Sequence, residues 1–199
     1  MAVKAVFFDV GETLVDETSY WAAHAERLGV TPHVVWAALG VVISRGEHHR
    51  RVFELLGGEP ADEVVYSLGD LYPDALPCLE RLRGAGYFVG IAGNQSAQLE
   101  EWARGLDLPV DVVASSASWG VEKPLPAFFA RAVAETGRPA HEVAYVGDRL
   151  DNDVAPAREA GLVAVHIRRG PWGHLQSGPD VAHLRIGSLD ELPEVFDSV

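Results

Sequence analysis

Cysteine occurs once in the 199 residues, at position 78. A lone cysteine excludes an intramolecular disulfide and fits a reducing compartment. Lysine occurs only at positions 4 and 123, although arginine is abundant. Acidic residues outnumber basic ones, 29 to 16, for a formal net charge of -13. That balance leaves no general basic face for nucleic acid or for an anionic membrane, and neither is expected as a partner. It does not exclude a local positive site, so it says little about substrate. Long hydrophobic runs are also lacking. The longest, Val34 to Ile43, is too short to cross a bilayer and reads as one buried helix. There is no internal repeat and no low-complexity segment. The start, Met1-Ala2-Val3-Lys4, leads into a strand-like run without a signal-peptide layout, and the expected location is cytoplasmic.

What is present is an alternation of strands and helices. Apolar β-rich runs recur at Val3–Asp9, Tyr87–Ala92, Asp111–Ala114, Glu142–Gly147 and Val163–Ile167. Between them, Leu99, Trp102, Ala103 and Leu106 recur at helical spacing, as do Leu125, Phe128, Phe129, Ala132 and Val133. Asp74 to Arg83 forms a further helix, with Pro77 in its first turn and Gly84 as its stop. Alternating elements predict βαβ units and a parallel sheet. The stretch from Thr18 to Leu68 breaks the alternation and reads as four short helices. Thr31-Pro32 opens one of them, Val35, Ala38, Leu39 and Val42 form its apolar face, and Gly29, Gly57-Gly58 and Gly69 are stops. The expected organisation is an α/β core over residues 1–16 and 71–199, with a helical cap over 17–70. Asp16-Glu17 and Asp70-Leu71-Tyr72-Pro73 would be the hinges.

Two strands run into carboxylates. Val6-Phe7-Phe8 ends on Asp9, followed by Gly11, Glu12 and Thr13; Val146-Gly147 ends on Asp148, with Asp151 and Asp153 beyond. Such endings put carboxylates at the carboxyl edge of the sheet, where open α/β folds hold their chemistry. With the interior Lys123 between them, they suggest a hydrolase with an aspartate nucleophile and a divalent metal.

Four ordered motifs extend this reading: Phe7-Phe8-Asp9-Val10-Gly11-Glu12-Thr13-Leu14, Val89-Gly90-Ile91-Ala92-Gly93-Asn94, Lys123-Pro124, and Val146-Gly147-Asp148 with Asp153. Together they resemble the haloacid dehalogenase superfamily over nearly the whole chain, in the subfamily with a helical cap after the first strand. The resemblance implies a Rossmann-like three-layer core with a parallel sheet. It implies a phosphatase that acts on a small phosphorylated metabolite through an aspartyl-phosphate intermediate, as a monomer or homodimer. Asp9 would be nucleophile and Mg²⁺ ligand, the Gly11 carbonyl and Asp148 further ligands, and Asp153 a ligand through water or an orienting group. Lys123 would offset charge on the nucleophile and the transferring group. Gly93 and Asn94 would face the substrate, the Asn94 backbone N–H taking a phosphoryl oxygen.

Two positions depart from the pattern. The superfamily's phosphatases carry a second aspartate two residues after the nucleophile, which protonates the leaving group; here that residue is Gly11. General acid–base catalysis contributes about 10²–10⁴ in rate, so a slow enzyme is expected, one that Gly11→Asp would accelerate. Glu12 is adjacent, but in an extended segment it would face the other way. Motif two has Gly93 in place of serine or threonine, which predicts a wider or water-filled pocket. Asp148 favours metal-dependent chemistry over 2-haloacid dehalogenation. A cap without lysine disfavours phosphonate cleavage by Schiff base. A catalytically degenerate binding protein is the main rival, favoured by the two glycines and opposed by the retained Asp9, Lys123, Asp148 and Asp153.

Three other features need placing. Arg45–Arg51 reads as the wet face of a helix whose other side is His49, Val52, Phe53 and Leu56. Arg168–His174 reads as a loop at the catalytic edge. Asp151 reads as a helix N-cap, and Trp21 and Trp36 as packing residues.

Overall fold

The computed structural model describes residues 2–61, 64, 66–179 and 181–196. Its centre is a six-stranded parallel sheet in the order β3-β2-β1-β4-β5-β6. The strands are β1 (Ala5–Phe8), β2 (Phe88–Gly93), β3 (Val112–Ser115), β4 (Val143–Gly147), β5 (Val163–Ile167) and β6 (Leu184–Ile186). β1 pairs with both β2 and β4, with Phe8 opposite Ile91 on one side and Val146 on the other. A strand hydrogen-bonded on both edges and covered on both faces must be apolar throughout, and every residue of β1 is buried. The five runs legible in the sequence are the first five strands. β6 is the addition. Its three residues are too short to show a period, and it pairs only with β5.

Side chains alternate between the two faces of the sheet. Val6, Phe8, Val89, Ile91, Ala144 and Val146 pack on one face with Cys78, Leu79 and Leu82 of α4 (Ala75–Gly84) and with Leu192 and Phe196 of α10 (Leu192–Phe196). Ala5, Phe7, Val143 and Tyr145 pack on the other with Phe128, Phe129 and Ala132 of α7 (Pro126–Thr136) and Ala157 of α8 (Ala155–Glu159). Helices α5 (Ala97–Gly105) and α6 (Ser116–Trp119) flank the β2–β3 edge. The result is the three-layer Rossmann-like α/β arrangement.

Among the described residues between β1 and α4 the chain forms three α-helices: α1 (Thr18–Leu28), α2 (Pro32–Ser44) and α3 (Arg51–Leu56). The fourth expected helix falls partly on residues 62, 63 and 65, which lie outside the described residues, and a 3₁₀ turn at Leu68–Asp70 follows them. α1 stops at Gly29, whose φ of 66° is the left-handed conformation that glycine adopts without a Cβ penalty. α2 starts with Pro32 after an extended Thr31, although the Thr31 side chain makes no capping bond. Trp21, Val35, Leu39, Val42 and Phe53 form a third apolar cluster, joined from the core by Trp172. The outgoing and returning segments lie side by side: the Asp16 N–H donates to the Asp70 carbonyl at 2.8 Å, and the Tyr72 N–H to the Leu14 carbonyl at 2.9 Å. No single helix among the described residues is long and apolar enough to cross a membrane.

Two expectations change here. Arg168–His174 contains a short helix, α9 (Gly170–Leu175), rather than only a loop. Pro171 in its first turn costs no hydrogen bond, because that N–H has no intrahelical partner. Residues 45–51 are not one helical face, since α3 begins only at Arg51.

Candidate active site

The strand order reverses at β1, whose neighbours β2 and β4 belong to the two halves of the chain. Crevices at such points are the usual ligand sites of open α/β sheets. Asp9 follows β1, Asp148 follows β4 and Asn94 follows β2, so three adjacent carboxyl ends deliver them. The Asp9 N–H donates to the Val146 carbonyl at 2.9 Å, which extends the ladder to the first residue of the site. Beyond β4 the chain makes a π-helical turn, Leu150–Val154, which returns Asp153 to Asp148.

Carboxylate oxygens of Asp9, Asp148 and Asp153 lie within 4.8 Å of one another, all in buried residues. Lys123 Nζ is 2.7 Å from Asp9 Oδ1 and 2.6 Å from Asp153 Oδ1. Asn94 fixes this lysine: its Oδ1 accepts from the Lys123 N–H at 2.7 Å and its Nδ2 donates to the Lys123 carbonyl at 2.9 Å. Its amide therefore positions Lys123. Asp153 is held at both oxygens, Oδ1 by Lys123 and Oδ2 by the Arg149 N–H at 3.0 Å.

Two buried carboxylates, Asp9 and Asp153, hold one ammonium, and Asp148 lies close to both. Burial opposes charge on Lys123, but Asp153 and Asp9 outweigh it and hold the ammonium well above the ordinary lysine pKa. Burial, then the charges of Asp153 and Asp9, push Asp148 well above the ordinary carboxylate range. The cluster has surplus negative charge and hard oxygen donors, the chemistry of a site for a divalent cation.

Gly11 and Gly93 do not widen the pocket. A Cβ on Gly93 would sit 2.5 Å from Asp9 Oδ1. A Cβ on Gly11 would sit 2.8 Å from the carboxyl carbon of Glu17. Carboxylates occupy both spaces, which corrects the expectation of a void or of water. Glu17 is held by Tyr66 Oη, which donates to Oε1 at 2.7 Å, and by Trp21 Nε1, which donates to Oε2 at 3.2 Å. Burial raises its pKa, with Tyr66 and Trp21 opposing. Glu12 is not in an extended segment as expected, for its φ is 51°. Its carboxylate accepts from Tyr72 Oη at 2.6 Å. Burial and then the charge of Glu17 push it up to about 7, with Tyr72 opposing.

The cluster lines a cavity of about 450 Å³ together with Trp21, His48, His49, Tyr66 and Trp172. Arg149 also lines it, its guanidinium 5.0 Å from the centre of the Trp172 ring and 3.1 Å from Asp151. Asp151 thus pairs with Arg149 inside the turn and does not cap it. Arg45, Arg50 and Arg51 are exposed, while Gly46–His49 face the cavity.

The family model for haloacid dehalogenase-like hydrolases matches residues 3–161. The chain belongs to that family. The hydrolase is 31% identical over 227 residues to the glyceraldehyde 3-phosphate phosphatase of Methanopyrus kandleri, covering 97% of each chain. It is similar to the crystal structure of a phosphatase of the same family from Thermococcus onnurineus, with a TM-score of 0.63, 25% identity and 97% of each chain covered. The L-2-haloacid dehalogenase of Xanthobacter autotrophicus has the same fold, with a TM-score of 0.73, 21% identity and 99% of each chain covered.

Three residues at the hydrolase's cavity escaped the sequence reading, Glu17, Tyr66 and Arg149, whereas Trp172 belongs to the segment expected at the catalytic edge. Glu17 was legible only as part of a hinge. No local period links it to Gly11 or to Tyr66, which lies 49 residues away. Arg149 carried a usable signal, because it adjoins Asp148 at a strand end.

Proposed function

We propose that this hydrolase is a Mg²⁺-dependent phosphatase of small phosphorylated metabolites that forms an aspartyl phosphate on Asp9. The observation that carries the reading is the meeting of Asp9, Asp148, Asp153 and Lys123 in one buried cluster below the cavity. The donor set fits Mg²⁺: carboxylates of Asp9 and Asp148 and the carbonyl of Gly11 as ligands, with Asp153 orienting them. Bound there, Mg²⁺ supplies positive charge to the phosphoryl oxygens. Asp9 forms a bond to phosphorus as the ester bond to the leaving oxygen breaks. The oxygen of a water molecule then displaces Asp9 and releases inorganic phosphate. Lys123 holds Asp9 in place and offsets charge on the transferring group, while the Asn94 amide keeps Lys123 in register.

Residues 17–70 act as a cap, hinged at Asp16-Glu17 and at Asp70–Pro73, whose helices close the cavity above Asp9. Their separate apolar cluster and the paired entry and exit segments support this division. The name of the Methanopyrus relative makes glyceraldehyde 3-phosphate the first substrate to test. The protein works in the cytoplasm, as a monomer or homodimer, and the buried lone Cys78 agrees with a reducing compartment.

A phosphate-release screen over small phosphate esters, with Mg²⁺ and with chelator, tests the proposal. Turnover that needs Mg²⁺ and is lost in Asp9→Asn supports it. Turnover that persists in Asp9→Asn overturns it, and metal-free halide release from a 2-haloacid would establish dehalogenation instead.

A further inference from the structure

We propose that Glu17 is the proton-transfer group of this hydrolase, a carboxyl supplied from the start of α1 into the space left by the missing side chain of residue 11. This rests on the phosphatase reading above and adds the group that the residues of motif one lack.

The placement is specific. A side chain at position 11 would begin where the Glu17 carboxyl now lies: the Cβ would be 2.8 Å from its carboxyl carbon and closer still to Oε1. The two cannot coexist without movement, so Glu17 substitutes for a residue-11 side chain in space. Its carboxyl lines the same cavity as Asp9, Lys123 and Asp148. Tyr66 Oη and Trp21 Nε1 each hold one of its oxygens, so its direction is set by two other side chains. Glu12 lacks this geometry. It bonds Tyr72 Oη and the Glu17 N–H and lies against Gly170, beside the returning segments of the core.

The chemistry balances. In the first step an Asp9 oxygen bonds to phosphorus, the ester P–O bond breaks, and the proton of the Glu17 carboxyl passes to the leaving oxygen to give an alcohol. In the second, Glu17 carboxylate takes a proton from water, and the water oxygen bonds to phosphorus. The Asp9–phosphorus bond breaks, giving inorganic phosphate, free Asp9 carboxylate and the reprotonated Glu17 carboxyl. Because Glu17 opens the helical segment 17–70, a movement of that segment would carry the acid into or out of the site.

Glu17→Gln keeps the size and most hydrogen-bonding capacity of the side chain while removing its proton chemistry. With glyceraldehyde 3-phosphate, an alkyl ester with a poor leaving group, turnover is expected to fall about 10²–10⁴-fold. With p-nitrophenyl phosphate the same variant is expected to give a burst of nitrophenol followed by slow turnover. Acid-quenched protein should then carry a phosphoryl adduct on Asp9. Equal losses on both esters with no adduct overturn the proposal, as does wild-type-like turnover. Should Glu17→Gln fail to fold, a leaving-group series on the unaltered hydrolase decides. A shallow dependence of kcat/KM on leaving-group basicity supports a proton donor, and a steep one refutes it. Asp9→Asn separates the two ideas, since it tests the phosphatase reading alone. In a protein that is active and sensitive to Asp9→Asn, indifference to Glu17→Gln sinks only this inference.

Discussion

Lys123 Nζ has two carboxylate oxygens within 2.7 Å, and its residue is 3% exposed. Removing one member of such a buried set leaves the others uncompensated, at a cost of about 3–5 kcal/mol. Lys123→Met is therefore expected to lower the metal-free unfolding free energy at neutral pH by an amount in that range, and an unchanged urea midpoint would contradict the charge arrangement described. Gly93 carries the opposite lesson. Although the family pattern has serine or threonine there, a Cβ would press on Asp9 Oδ1. Displacements of about 1 Å near the reacting atoms cost ~10²-fold in rate, so Gly93→Ser should depress steady-state turnover, and an increase would show that Asp9 tolerates the crowding. Asp9, Asp148, Lys123 and Asp153 were legible because strand-end carboxylates and a rare interior lysine leave marks in sequence. The occupant of the Gly11 space was not, because Glu17 reaches Gly11 only through the turn between β1 and α1. Gly11→Asp, read from sequence as restoring a lost acid, is now expected to collide with Glu17.

At the scale of elements, the five longer strands could be read because each is a continuous apolar run bounded by turns. β6 could not, with three residues and one paired edge. α9 was hidden by a Gly-Pro start that resembles a loop, and residues 45–50 were hidden by apolar spacing that runs on into α3. The helical segment also carries a pH dependence. His24 of α1 is buried, and its Nδ1 accepts from the Ala61 N–H at 3.0 Å, a bond that needs an unprotonated nitrogen. Burial lowers its pKa, and burial with the charge of His48 lowers His49 to about 3. Histidine in an unfolded chain titrates near ~6.5. Below that pH the unfolded state binds protons that the folded histidines refuse, so their contribution to stability falls as pH drops from about 6.5 towards about 3. Glu12, pushed up to about 7, acts in the opposite sense as pH falls, so the histidine share is read as the difference in urea midpoint between the unaltered protein and His24→Gln. The stability lost on His24→Gln, which keeps an acceptor without titrating, should be smaller at about pH 5 than at about pH 7.5, and a pH-independent loss would place the dependence elsewhere.

At the scale of the whole molecule, a chain of net charge -13 concentrates acidic groups at its one described cluster able to hold a metal. Binding of Mg²⁺ to the folded state alone should raise thermal stability, by about 2.7 kcal/mol at a concentration about a hundredfold over Kd. Asp148→Asn should remove most of that gain, and an equal shift in both proteins would mean that the ion binds elsewhere. Sequence gave the architecture through alternation and the site through its strand ends. It did not give the closing wall, where Trp172 from beyond β5 meets Trp21 and Phe53 from the helical segment. Contacts of that separation leave no local period to read.

The central claim is that Asp9 bonds to phosphorus. Intact-protein and peptide mass spectrometry of the hydrolase, acid-quenched during Mg²⁺-supported turnover of a phosphate ester, tests it most directly. The account predicts a phosphoryl group on the peptide that contains Asp9, and none in Asp9→Asn. Full turnover with no adduct, or an adduct on another residue, would contradict it.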